Sequence, residues 1–177
     1  MVSNIPGIRY LAPASAEEYL AMIDQTVGSP STPTVIRTPG GPVRHRDTPV
    51  DTDFDRYEIV ERGSEVALIA EGPFLAIAEE TAALLRARGI TPTVINPRIL
   101  SSVDTVCLDT LKDYRHVITI EDGIIDGGFG QKVAAYLGCS PVRVTCLGLK
   151  KEFLDRYSVD EVLAANGLTP AQIAEIA

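Results

Sequence analysis

The sequence has no run of about eighteen apolar residues, the length that a helix needs to cross a bilayer, so no membrane partner is expected. It has no basic stripe either. Its 16 Lys and Arg residues stand against 24 Asp and Glu, a net charge of −8, whereas binding to a phosphate backbone needs a basic surface. No nucleic-acid partner is therefore expected. No charged start followed by an apolar core is present, so a cytoplasmic address is expected. The two histidines, His45 and His116, lie far apart without metal-ligand spacing, which argues against a zinc site. Cys107, Cys139 and Cys146 are odd in number, lack C-x-x-C spacing and sit in apolar surroundings, so buried reduced thiols are expected at all three. Also missing are a G-x-S-x-G elbow, a Cys with a nearby His, a G-x-x-x-x-G-K-[ST] loop and metal carboxylates at useful spacing. The inventory supplies no catalytic residue and no metal ligand.

What is present describes a folded α/β protein. With 177 residues, 45% of them apolar, the chain can bury one good core and part of a second. Ser15 to Glu18 is a capping box, followed by a broad apolar face of Tyr19, Leu20, Met22, Ile23 and Val27 at helical spacing. Thr34 to Arg37 reads as a short strand. One helix with one or two strands cannot bury its own faces, so this segment must dock elsewhere. Residues 42–56, rich in Pro, Asp, Thr and Arg, read as a linker, with the cationic cluster Arg44-His45-Arg46 as a solvated loop or a phosphate contact.

From Tyr57 onward the pattern is regular. Tyr57 to Val60 and Val66 to Ala70 flank Arg62-Gly63-Ser64 as an antiparallel hairpin would. A helix is predicted from Phe74 to Arg88 with Ile77, Thr81, Leu84 and Leu85 inward, then a strand over Thr93 to Asn96 and a helix over Asp104 to Leu111. A strand over Val117 to Ile120, a helix over Gln131 to Leu137 and a strand over Val142 to Cys146 follow. Strands alternating with helices at these distances imply βαβ crossovers and a mainly parallel sheet. Ser158 to Glu161 and Thr169 to Gln172 start two short tail helices, with Leu163, Leu168, Ile173 and Ile176 packing them on the sheet.

The stretch Ile118 to Val133 stands apart from this regularity. Glu121 and Asp122 end a strand, the side of an open α/β sheet where ligands collect. Gly127, Gly128 and Gly130 lead into a helix whose free amides can meet an anion, although they do not form the G-x-G-x-x-G fingerprint. Gly128 is expected at positive φ, where a β-branched residue would be resisted. Both acidic side chains would be acid–base groups if buried; exposed strand-end carboxylates are the commoner arrangement.

Several stretches taken in order carry a resemblance. Asn4 to Ser15, Ile36 to Pro39, Ile95 to Arg98, Thr119 to Gly130 and Leu147 to Phe153 together resemble the carboxyl-terminal part of the 1-deoxy-D-xylulose-5-phosphate synthases, transketolase-like thiamine diphosphate enzymes. The resemblance implies residues 1–41 as the end of a pyrimidine-binding domain, 42–56 as a linker, and 57–177 as the carboxyl-terminal domain. That last domain would be a three-layer α/β/α unit with a mainly parallel five-stranded sheet and one antiparallel strand. It implies thiamine diphosphate and Mg²⁺ in the assembled enzyme but none in this chain alone, and a partner chain carrying the diphosphate- and pyrimidine-binding domains in a homo- or hetero-oligomer such as a dimer. The assembled reaction would be two-carbon transfer from pyruvate to glyceraldehyde 3-phosphate. The family's Pro-Arg-Gly triplet is Pro39-Gly40-Gly41 here. Arg44 or Arg46 then takes over the substrate phosphate, or the acceptor differs; Arg37 remains as a third candidate or an interface residue. Glu121, Asp122, Gly127, Gly128 and Gly130 are expected as an interface and anion-tolerant turn. The alternatives are an assembly or anion-sensing module without chemistry, and the same piece of a 2-oxo acid dehydrogenase β subunit.

Overall fold

Val66-Ala67-Leu68-Ile69-Ala70 exposes no side chain, as a strand covered on both faces must. Around it the computed structural model, which describes residues 2–28, 31–38, 40, 43–153 and 158–177, builds two sheets. In chain order the amino-terminal unit contributes β1 (Arg9–Leu11), α1 (Ala16–Gly28) and β2 (Thr34–Ile36). The remainder contributes β3 (Glu58–Glu61), β4 (Val66–Ala70), α2 (Leu75–Ala87), β5 (Thr93–Asn96), α3 (Thr105–Asp109), β6 (His116–Ile124), α4 (Phe129–Leu137), β7 (Arg143–Leu149), α5 (Val159–Ala165) and α6 (Pro170–Ile176).

The main sheet runs β3-β5-β4-β6-β7, with β3 antiparallel to β5 and the other neighbours parallel. Side chains alternate between its two faces. Ala67, Ile69 and Val117 join Leu108, Val133 and Leu137 of α3 and α4 in one layer. Val66, Leu68, Ala70, Ile118 and Ile120 join Ala78, Ala82, Leu85 and Ile173 of α2 and α6 in the other. This is the expected three-layer α/β/α fold with a mixed five-stranded sheet.

The expected hairpin is corrected. β3 and β4 both exist, but β5 lies between them, because the turn after β3 passes under the start of β5. There the Gly63 amide donates to Thr93 Oγ1 at 2.9 Å and the Ser64 amide to Thr91 O at 3.0 Å. A Cβ on Gly63 would lie 2.1 Å from Thr91 O, so the crossing needs glycine. Four smaller expectations also change. Leu84 is 39% exposed, Cys139 is exposed and Cys146 only half-buried, and Ile176 lies at the surface. Of the tail residues, Leu168 and Ile173 are buried and Leu163 packs beside them; both tail helices carry complete capping boxes, Ser158 with Glu161 and Thr169 with Gln172.

The amino-terminal unit pairs β1 with β2 in parallel across α1 and docks at the carboxyl ends of the main strands. Leu11 bridges Ile99, the Ala12 amide donates to Arg98 O and the Leu100 amide to Tyr10 O, both at 2.8 Å. Leu11 and Met22 share a core with Ile95, Ile99, Leu100 and Phe129. Only part of the predicted α1 face is buried: Leu20 is 60% and Val27 75% exposed.

The segment expected as a linker is stitched down over its second half. Arg98, 1% exposed and at φ +59°, donates to Asp51 O at 2.7 Å, Asp53 O at 2.9 Å and Arg56 O at 2.6 and 3.1 Å. Phe54 is fully buried beneath its guanidinium, 5.6 Å from carbon to ring centre. Buried carbonyls left without a donor are costly. Replacing Arg98 by Ala is expected to lower the unfolding free energy by about 3 kcal/mol or more and to speed proteolytic cutting within residues 43–56, measured by urea denaturation and limited proteolysis.

Candidate functional site

Parallel pairing sets the site. Ala70 of β4 lies opposite Ile120 of β6, so the next residues, Glu71 and Glu121, emerge side by side at the carboxyl edge of the sheet. β6 runs from His116 to Ile124, beyond the predicted Val117 to Ile120, with a break in its register against β7 between Ile120 and Ile124, and Asp122 lies at the same edge. Arg37, just past β2, reaches over from the amino-terminal unit. Its Nη1 lies 3.1 Å from Glu71 Oε1 and its Nη2 2.7 Å from Asp122 Oδ2, with a further contact to Asp122 O. The Asp122 amide donates to Glu71 Oε1 at 3.1 Å.

Glu121 is 2% exposed. Its Oε2 accepts from the Phe129 amide at 2.7 Å, so this carboxylate itself occupies the start of α4, where a helix favours negative charge. The glycines make room for it. A Cβ on Gly128 would lie 2.3 Å from Glu121 Oε2, and one on Gly148 2.8 Å from Glu121 Cγ. Gly130 meets Thr119 Oγ1 at 2.4 Å in the same sense and lets α4 sit close on the strand. The expectation for Gly128 is corrected: its φ is −77° and Gly127 is the residue at positive φ, +73°. Glycine is needed at 128 to leave space for a carboxylate, and at 127 for backbone conformation.

Three carboxylates thus lie close together, and one guanidinium pairs with two of them, Glu71 and Asp122. Burial pushes Glu121 up to about 7, drawn back by the amides at the start of α4 and by Arg37 and Lys132. Burial likewise pushes Glu71 up to about 7; Arg37 opposes the rise, and Glu121 and Asp122 reinforce it. Asp122 is raised for the same first reason, desolvation, with Arg37 opposing. The ion pair with Arg37 and the high value at Glu71 are compatible, since a single guanidinium cannot offset the burial of two neighbouring carboxylates. Among the described residues Glu121 Oε1 has no hydrogen-bond partner. These groups border a cleft of about 730 Å³ whose walls include Tyr10, Leu100, Ile124 and Phe129, with Asp126 and Lys151 in its lining.

The structure brings Arg37, Glu121, Asp122, Gly127 and Gly128 together in this cleft. Arg44 and Arg46 line a different one, of about 340 Å³. Arg44 pairs with Glu79 there, His45 with Glu17 at 2.8 Å, and Arg46 with Glu58 at 2.6 Å and Glu18 at 3.1 Å. The hydrogen bond from His45 and the Arg46 amide hold Glu17 down at about 2. Glu18, expected as a capping-box carboxylate, is fully buried; it accepts from the Ala14 amide at 2.7 Å and from Asn96 Nδ2 at 2.9 Å. Sequence reasoning missed Glu71 and Glu18. For Glu71 the available signal was its place directly after a fully apolar strand, equivalent to that of Glu121.

The transketolase C-terminal domain family matches residues 55–173. The chain belongs to that family. It is 36% identical over 179 residues to the 1-deoxy-D-xylulose-5-phosphate synthase of Leifsonia xyli subsp. xyli (strain CTCB07), a match covering 96% of this chain and 27% of that protein. It is 34% identical over 184 residues to the synthase of Chlorobium luteolum (strain DSM 273 / BCRC 81028 / 2530), covering 97% and 28%. The chain therefore spans about a quarter of the length of these curated relatives. Among solved structures it superposes on a split-gene transketolase, described as an inactive beta4 tetramer, with a TM-score of 0.84, 24% identity and coverage of 98% of this chain and 58% of that one. A transketolase from Pichia stipitis gives 0.74 at 16% identity, covering 97% and 25%. At such identities the structural likeness supports the fold, a transketolase-type carboxyl-terminal domain preceded by a further βαβ unit.

Two outcomes follow from the seat of Glu121 in this domain. Gly128→Ala is expected to destabilise by about 2 kcal/mol or more through the clash with the carboxylate, and Gly127→Ala by about 1 kcal/mol through its positive φ. Removing the carboxylate with Glu121→Ala is expected to relieve the first and not the second, measured by urea denaturation of the single and double variants. The second outcome concerns pH. A carboxyl at about 7 in the folded protein and about 4.3 in an unfolded chain binds its proton more tightly when folded. Its contribution favours folding below about pH 4 and is lost as pH rises through about 7. Stability is expected to fall between pH 5 and pH 8, and to fall less in Glu121→Gln, where the contributions of Glu71 and Asp122, also raised by burial, remain.

Proposed function

We propose that this chain is the carboxyl-terminal portion, or one polypeptide of a split form, of a 1-deoxy-D-xylulose-5-phosphate synthase-like transketolase. The observation that carries the reading is the alignment of 96% of the chain with only 27% of a synthase. Residues 1–41 would close the preceding pyrimidine-binding domain, 42–56 connect, and 57–177 form the terminal domain. The assembled enzyme would transfer a two-carbon unit from pyruvate to glyceraldehyde 3-phosphate in the cytoplasm; among the described residues no helix is long and apolar enough to cross a membrane.

Thiamine diphosphate supplies the carbanion chemistry of such enzymes when bound, but the residues here do not fit it. Among the described residues no group of three or more His, Cys, Asp or Glu side chains gathers as metal ligands do. The amide at the start of α4 is taken by Glu121. The diphosphate and Mg²⁺ would be held by a partner chain, and the part played here is support for that chain's site. Gly40, where the synthases carry an arginine, is exposed, with nothing among the described residues within 4 Å of a Cβ built on it. Arg37, Arg44 and Arg46 already pair with carboxylates of this chain, so contact with a substrate phosphate would require one of them to change partner.

The purified chain is expected to show no turnover of pyruvate with glyceraldehyde 3-phosphate, and to give activity when mixed with a partner bearing the diphosphate- and pyrimidine-binding domains. A coupled assay for 1-deoxy-D-xylulose 5-phosphate reads both. Turnover by the chain alone would overturn the proposal.

A further inference from the structure

We propose that the cleft at the carboxyl edge of β4 and β6 receives a basic side chain, a guanidinium or a primary ammonium, from the polypeptide that completes the enzyme. The proposal rests on the reading of this chain as part of a larger assembly, and on three observations besides. The first is a charge imbalance. Glu71, Glu121, Asp122 and Asp126 face Arg37 and Lys151 in the cleft. Arg37 is already divided between Glu71 and Asp122, and Lys151 stands 3.9 Å from Asp126 at the exposed rim. No cation among the described cleft residues is left for Glu121, whose Coulombic support comes from Arg37 and, from behind, Lys132. Lys132 is itself turned to the carbonyls of Ser3, Leu100 and Ser101 at 2.8, 3.0 and 3.4 Å.

The second observation is the state of Glu121. It is almost wholly buried and lines the cleft, yet among the described residues Oε1 has no partner while Oε2 is held by the Phe129 amide. Buried carboxylate oxygens are normally satisfied, and a vacant acceptor beside surplus negative charge is matched by a charged N–H donor. Burial raises the affinity of Glu71 and Glu121 for protons, reinforced at Glu71 by Glu121 and Asp122, and a proton is the cation available when no other is bound. The third observation is size and lining. A space of about 730 Å³ bordered by Tyr10, Leu100, Ile124 and Phe129 far exceeds a guanidinium. It suits a side chain delivered with the apolar surface around it, and Ile124 is 43% exposed at the mouth. A polypeptide source is therefore favoured over a free small amine.

The test uses the full chain and L-arginine amide as probe. Titration followed by ¹⁵N NMR is expected to shift the amides of Asp122, Gly123 and Gly127 to Phe129, with weak affinity in the millimolar range. The affinity should fall about tenfold in Glu121→Gln, as expected when a charge-assisted contact becomes a neutral one. In a second arm, arginine amide is added to the mixture of this chain with its partner, and association is followed by sedimentation. Competition by the probe, and weaker association of Glu121→Gln than of wild type, support the proposal. Association untouched by both the probe and the variant would overturn the polypeptide source and leave a small-amine site. No shift at these amides in the wild-type chain, or equal shifts in Glu121→Gln, would overturn the cation site itself. If the probe binds as expected while no partner associates even with wild type, the functional reading fails and the cation site stands.

Discussion

Much of this structure depends on one guanidinium divided between two strand ends. Arg37 leaves the amino-terminal unit and meets Glu71 after β4 and Asp122 in β6, two residues that belong to the other unit. A bidentate fork across two adjacent strands fixes both distance and angle, so β2 cannot shift against the main sheet without breaking a part-buried ion pair. Arg98 does for the connecting segment what Arg37 does for the sheet edge, since it collects the carbonyls of residues 51, 53 and 56. Together they make a body in which the expected boundary is traversed by polar ties.

The same arrangement explains the glycine turn. Glu121 is placed beneath α4 by the period-two alternation of β6, and its carboxylate takes the position where an external anion would meet the helix amides. Gly128, Gly130 and Gly148 follow from that choice, each keeping a Cβ out of space claimed by Glu121 or Thr119. The turn is therefore a seat for an internal acid. The acid is held at a high pKa by its burial beneath α4, which the helix amides, Arg37 and Lys132 offset only in part.

Fold and site were legible in the sequence to different depths. β4, β5 and β6 showed as apolar runs, and the tail caps as Ser158/Glu161 and Thr169/Gln172, because those signals are local. The order of the strands was not local: Tyr57 to Val60 and Val66 to Ala70 look like a hairpin from their spacing, and only the insertion of β5 between them corrects that. At the site, Glu121 and Asp122 stood out beside the glycines. Glu71 did not, since its role comes from lying next to Glu121 across a parallel pair with about fifty intervening residues. Burial of Glu18 was hidden for the same reason: its partner Asn96 is supplied by β5. The cationic cluster Arg44-His45-Arg46 showed its charge but not the four carboxylates of α1, β3 and α2 that absorb it.

The amino-terminal βαβ unit and the carboxyl-terminal domain form one cooperative body joined through Arg37. Native-state hydrogen exchange across a denaturant series measures this most directly. The amides of β1 and α1 are expected to lose protection together with those of β4 and β6 in the wild-type chain, and Arg37→Ala to let the amino-terminal amides open first. Separate, earlier opening of β1 and α1 in the wild-type chain would contradict it.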